Sequence, residues 1–153
     1  GGVPSLNTLE SMIMMLERPL SHARLLDIQR ELGEDVFPVI DQTYYPQASA
    51  MLIGPQFPAV VKVAHVHAGF GKMMIQDHHA FADFRSVIAT TTHYCTAEEF
   101  IEGVYDLRIQ KIGSSYRVFK RSSVSGDWKT NTGTSVMEEA TLTPQYKLWA
   151  DEC

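Results

Sequence analysis

The 153 residues contain only two cysteines, Cys95 and Cys153. Two are too few for a disulfide framework. Cys153 is the last residue, so a bridge would have a frayed partner, and both read as free thiols of a reducing compartment. Long apolar runs are missing too: none approaches the roughly 18 residues that a membrane-crossing helix needs. The opening GGVPSLNTLESMIMMLERP has an apolar centre over residues 12–16. No basic segment precedes that centre and Glu10 stands ahead of it, which argues against a signal peptide. The first residue is not Met, and a processed product or a fragment is expected. Positive charge is in deficit, with 13 Lys+Arg against 18 Asp+Glu and a net charge of −5. That balance argues against a general nucleic-acid binder, which carries a basic surface. Repeats and low-complexity tracts are absent as well.

What remains is an ordinary globular composition, 44 % hydrophobic and 20 % charged, which excludes disordered and collagen-like chains. The length allows one domain with a real core. Leu6, Leu9, Ile13 and Leu16 recur at helical spacing, and Arg18-Pro19 breaks the stripe. A second helix is expected over residues 21–32, with Ser21 as its N-cap and Gly33 as its stop. Residues 37–40 read as a short extended piece, and Tyr44-Tyr45-Pro46 as the start of a loop. Residues 57–63, FPAVVKV, read as a buried strand. The Gly-punctuated stretch to Lys72 leads to a return strand at Met73-Met74-Ile75. Residues 81–91 look helical, and His78-His79 like a solvated turn. Residues 105–112 and 116–123 form a hairpin around Gly113-Ser114-Ser115. A short helix is expected over residues 136–140, and a last one after Thr143-Pro144.

Lys62 is the one charge in its apolar run, and an unpaired buried Lys is expensive. It either snorkels to water or points into a cleft where an anion completes it. Gly69-Phe70-Gly71-Lys72 follows closely. Glycines let backbone N–H groups approach phosphate oxygens, and Lys72 adds a point charge. The spacing is not that of the P-loop. Alone the motif reads as a hairpin turn; two lysines converging on one site would contribute on the order of 4 kcal/mol each before desolvation. Residues 108–129 are basic, with Arg108, Lys111, Arg117, Lys120, Arg121 and Lys129 opposed only by Asp127. Arg117 and Arg121 share one strand face and Lys120 the other. His65 and His67 stand at i, i+2 without the Cys or carboxylate partners of a zinc set, and read as non-metal residues. Ser122, Ser123 and Ser125 have no local base that would mark a nucleophile.

In this order the pieces resemble the ATP-grasp fold. More specifically, FPAVVKVAHVHAGFGK, YDLRIQKIGSSYRVFKRSSVSGDWKTNTG, YKLWADEC, GGVPSLNTL and FPVIDQTYYP resemble the central C domain of synapsins, over nearly the whole chain. The resemblance implies an α+β, ATP-grasp-like fold that is incomplete, with the preceding domain and the C-terminal strands largely missing. Residues 1–18 would end the preceding region. Residues 19–95 would form the N-terminal ATP-grasp subdomain, and residues 96–153 the first part of the C-terminal one. The resemblance further implies that Lys62 contacts ATP, that Gly69, Gly71 and Lys72 form a small phosphate loop, and that Glu98, Glu99, Phe100 and Ile101 form the hinge that reads adenine. Asp106 and Arg108 would lie behind the cleft. Arg121 would face the phosphates, and Lys129 and Asn131 would lie in a loop folding over the nucleotide. Glu99 and Glu102 stand where synapsins usually have Pro and Asp, Asp127 where they usually have Asn, and Glu31 in a normally basic setting.

No catalytic and no metal-binding residue is assigned. The cofactor implied is ATP, with Ca or Mg in the complete domain, its ligands beyond Cys153. The chain alone is accordingly expected to bind ATP weakly or not at all. The function implied is that of an ATP-binding phosphoprotein module that regulates neurotransmitter release. Its place would be the cytoplasm of the presynaptic terminal, peripheral on synaptic vesicles, with actin and further copies of itself as partners, as a dimer or higher oligomer, and no nucleic acid. The alternative is an ATP-dependent carboxylate–amine ligase.

Overall fold

A computed structural model describes residue 4 and residues 7–65, 69–129 and 134–153. The chain divides into two compact units. The first comprises Gly1–Asp27 and Val39–Phe100, the second Ile28–Pro38 and Ile101–Cys153.

Helix α1 (Leu9–Leu16) starts where the Thr8 side chain accepts a hydrogen bond from the Ser11 amide at 3.1 Å. It carries no buried residue. Helix α2 (Arg18–Leu32) begins three residues before the expected start. Pro19 is tolerated in the first turn, where its missing N–H has no intrahelical partner to lose. Ser21 is therefore not the N-cap; it sits inside the helix, and its hydroxyl donates to the Met14 carbonyl at 2.5 Å. Gly33 closes the helix, its amide donating to Gln29 at 2.8 Å.

Strand β1 (Gln42–Tyr45) replaces the expected loop start at Tyr44. Strands β2 (Ala59–Val63) and β3 (Lys72–Ile75) form the expected antiparallel pair. Helix α3 (His78–Ile88) starts earlier than expected, because Asp77 caps it by accepting from the His79 and Ala80 amides at 2.9 Å each. Those bonds hold the Asp77 carboxyl below its ordinary value, and the two histidines form the first helical turn instead of a free turn. Strand β4 (Cys95–Glu99) inserts between β1 and β2, giving the antiparallel order β1-β4-β2-β3.

Strand alternation divides this sheet by chemistry. One face sends Tyr45, Val61, Ile75, Cys95 and Ala97 into a core with Met51 and with Phe81, Phe84 and Ile88 of α3. Each large apolar side chain buried there contributes roughly 1.5–3 kcal/mol. Burial also pushes the Cys95 thiol up to about 11.

In the second unit, β5 (Asp106–Ile112), β6 (Ser115–Ser123) and β7 (Ser135–Glu139) form an antiparallel meander. The helix expected at residues 136–140 is thus a strand. Met, Glu and Ala favour a helix locally, but pairing with β6 from Phe119↔Glu139 to Ser123↔Ser135 overrides that preference. Helix α4 (Pro144–Glu152) follows as expected, with Thr143 accepting from the Tyr146 amide at 3.1 Å. The helix buries no residue. It is held by polar contacts: Trp149 Nε1 donates to the Val36 carbonyl at 2.9 Å, and Asp151 takes Lys111 at 2.7 Å, Lys147 at 2.5 Å and the Tyr116 hydroxyl. Among the described residues no helix is long and apolar enough to cross a membrane.

Candidate functional site

The face of the four-stranded sheet opposite the core is polar, and its register is a small grid. One row reads Tyr44, Thr96, Lys62 and Lys72 across β1, β4, β2 and β3; the next reads Gln42, Glu98, Val60 and Met74. Lys62 Nζ donates to Glu98 Oε2, and Gln42 Nε2 donates to Glu98 Oε1 at 2.7 Å. The Lys62 and Glu98 side chains are 19 % and 18 % exposed. The partner that the sequence leaves open for Lys62 is therefore a carboxylate of this chain. Thr96 is fully buried, and its hydroxyl has no hydrogen-bond partner among the described residues. A buried hydroxyl left so is uncommon.

The glycine motif sits at the end of this face. Gly69 and Gly71 have φ of +83° and +60°, a region that side-chain-bearing residues rarely enter. The Gly71 carbonyl accepts from the Val63 amide at 2.9 Å, so the turn is clipped to the end of β2 and delivers Lys72 beside Lys62. Phe70 at its tip is exposed. Arg18 lies at the same end, its Nη1 donating to the Ala64 carbonyl and, at 3.4 Å, to that of Val63. Tyr94 packs against Tyr44 and His65 with ring centroids 5.6 and 5.5 Å apart. Its phenol is raised, first by burial and then by the Glu17 carboxylate.

The structure thus brings Lys62, Lys72, Glu98 and the Gly69–Gly71 turn to one face. Glu99 falls on the opposite face of β4 by alternation, and the Phe100 amide donates to the Pro58 carbonyl at 2.9 Å. Ile101, in the second unit, is exposed. There Arg121 makes a two-pronged pair with Asp106, Nε to Oδ1 at 3.1 Å and Nη2 to Oδ2 at 2.9 Å, fixed by their direct opposition across β5 and β6. Lys129 Nζ lies 5.2 Å from the Trp128 ring centroid. Asn131 and His67 lie outside the described residues. The basic stretch draws its counter-charges from beyond itself, Asp106 for Arg121 and Asp151 for Lys111. Gln42, Thr96 and Arg18 are site neighbours that local sequence reading misses. Each is an ordinary residue whose role exists only through strand register or a contact made 45 residues away.

Among the described residues no group of three or more His, Cys, Asp or Glu could hold a metal ion. The two lysines, the positive-φ glycines and the orphaned Thr96 hydroxyl do fit a polyanionic ligand.

Residues 7–153 match the family model described as "Synapsin, ATP binding domain". The chain belongs to the synapsin family. A curated relative, Synapsin of Drosophila melanogaster, is 39 % identical over 156 residues, covering 99 % of this chain. The chain spans only 15 % of that synapsin's length. Among the described residues, two antiparallel sheets and four α-helices give the α+β, ATP-grasp-like arrangement expected of a synapsin ATP-binding domain.

Proposed function

We propose that this chain is the ATP-binding module of a synapsin and that the polar face of β1-β4-β2-β3 receives the nucleotide. The observation that carries the reading is the juxtaposition of Lys62 and Lys72 at direct cross-strand positions, with the buried, unpartnered Thr96 hydroxyl beside them. Two lysines at opposed strand positions gather positive charge at one end of this face, which suits an anionic ligand. Gly69, Gly71 and Lys72 cradle phosphate, and Glu98 to Ile101 provide the hinge that reads adenine. By family resemblance, Arg121, Lys129 and Asn131 are further residues that contact ATP. A divalent cation, Ca or Mg, accompanies the ATP.

The role is binding rather than catalysis: a phosphoprotein module at the presynaptic terminal, peripheral on synaptic vesicles, that assembles with actin and with further synapsin copies to regulate neurotransmitter release. Family membership supports this wider role. The boundaries after residues 18 and 95 mark the parts of an ATP-grasp domain.

The test is a nuclear magnetic resonance titration of the chain with Mg-ATP. Amide shifts are expected to concentrate on β2, β4 and the Gly69–Gly71 turn, and to vanish in Lys62→Ala while circular dichroism stays unchanged. Shifts that persist undiminished in Lys62→Ala would place the ligand elsewhere. Unfolding of that variant would make Lys62 structural.

A further inference from the structure

We infer that Glu98 acts as a built-in stand-in for an anion at Lys62, held in place by Gln42, and that its charge sets how tightly this face takes phosphate. The inference rests on the nucleotide reading above and adds its regulation.

Lys62 and Lys72 face each other across β2 and β3, and Glu98 on β4 lies on the same face and pairs with Lys62. Its two oxygens are divided between neighbours: Oε2 takes Lys62 from one flanking strand, and Oε1 takes Gln42 from the other at 2.7 Å. The carboxylate is therefore fixed from both sides. Its 18 % exposure leaves it neither fully screened by water nor closed to a ligand. An arriving phosphate meets an ammonium that is already neutralised and a like charge directly behind it. In Glu98→Gln the amide oxygen still accepts from Lys62 and the side-chain length is kept, but the opposing charge is gone. Gln42 touches no ligand in this scheme; it is a positioning residue that acts through Glu98.

The experiment uses the full chain and inorganic tripolyphosphate as the probe, in titration calorimetry. Glu98→Gln is expected to bind about tenfold tighter than the natural chain, and Gln42→Leu about threefold tighter, because a loosened carboxylate neutralises Lys62 less completely. A second readout needs no ligand. Acylation of the Lys62 amine, mapped by mass spectrometry, is expected to speed up several-fold in both variants, with circular dichroism unchanged. Tighter binding together with faster acylation supports the inference. If the natural chain binds tripolyphosphate and Glu98→Gln binds equally or more weakly, the stand-in role is wrong while the nucleotide reading survives. If no variant binds tripolyphosphate or ATP, the nucleotide reading itself fails and the inference falls with it, even where acylation rises.

Discussion

The two units place their charges in opposite ways. The first separates them: one side of its sheet is an apolar core closed by α3, and the other carries Lys62, Glu98 and Lys72. The second has a thin core, with Ile28, Phe37 and Val118 as its buried apolar residues among those described, and relies on ion pairs to hold its helix. A sheet whose core is independent of its charged face can carry a costly arrangement there, such as two opposed lysines. A sheet whose charges hold it together has less freedom to offer them to a ligand.

The largest effect expected from breaking this contrast is in the first core. Ile75 is 1 % exposed within the cluster. Ile75→Ala should lower stability in urea denaturation by about 2–5 kcal/mol, through lost transfer energy and the cavity left behind. Val118→Ala should cost less, since fewer carbons are removed from a smaller core; a larger loss there would invert the comparison. Next comes the cap of α4. Thr143→Ala removes the acceptor for the Tyr146 amide and should cost about 1 kcal/mol, read as lost helical signal and a lower urea midpoint.

The smallest effect at neutral pH is expected from Asp151→Asn. Lys111 first, then Lys147 and the Tyr116 hydroxyl, hold the Asp151 carboxyl well below the usual carboxylate range. A depressed carboxylate stabilises the fold fully above its unfolded value, and that stabilisation is lost as pH falls through the folded value. The natural chain should therefore keep α4 docked at mildly acid pH and release it only in strong acid. Asp151→Asn should lack this acid step, and about 1 M salt should erase its difference from the natural chain. Trp149 fluorescence in a Trp128→Phe background reads this directly, because the Trp149 indole reports the Val36 contact. An unchanged acid step in Asp151→Asn would assign the clasp to other groups.

The elements legible in the sequence were those with strong local signals. The β-branched run of β2, the alternation of β5 and β6, and the Thr143-Pro144 start of α4 each carry their own instructions. The β7 strand and β1 were hidden because Val136-Met137-Glu138-Glu139 has the composition of a helix and Tyr44-Tyr45-Pro46 that of a loop. Their partners, Lys120 and Thr96 among them, decide the outcome from a distance. At the site, the lysine and glycine signals could be read because the anomaly is local: a charge in an apolar run, and glycines around one aromatic. The partnership of Lys62 with Glu98 could not, because register alone creates it. Arg121 illustrates the same limit. Its basic character is plain in the sequence, while its engagement by Asp106 appears only when β5 and β6 are laid side by side.

The sheet order also has a kinetic meaning. Strand β4 is last of its four in the chain, yet it alone joins β1 to the β2–β3 pair. Until residue 95 onward has been made, β1 has no ladder partner and β2 keeps one bare edge. Such edges template pairing with other chains. Insertion of β4 closes both edges and, in the same event, brings Glu98 to Lys62. The step that covers these inner edges, leaving only the outer edges of β1 and β3, is also the step that completes the polar face, so a chain released before β4 would have neither the closed sheet nor the Lys62–Glu98 pair.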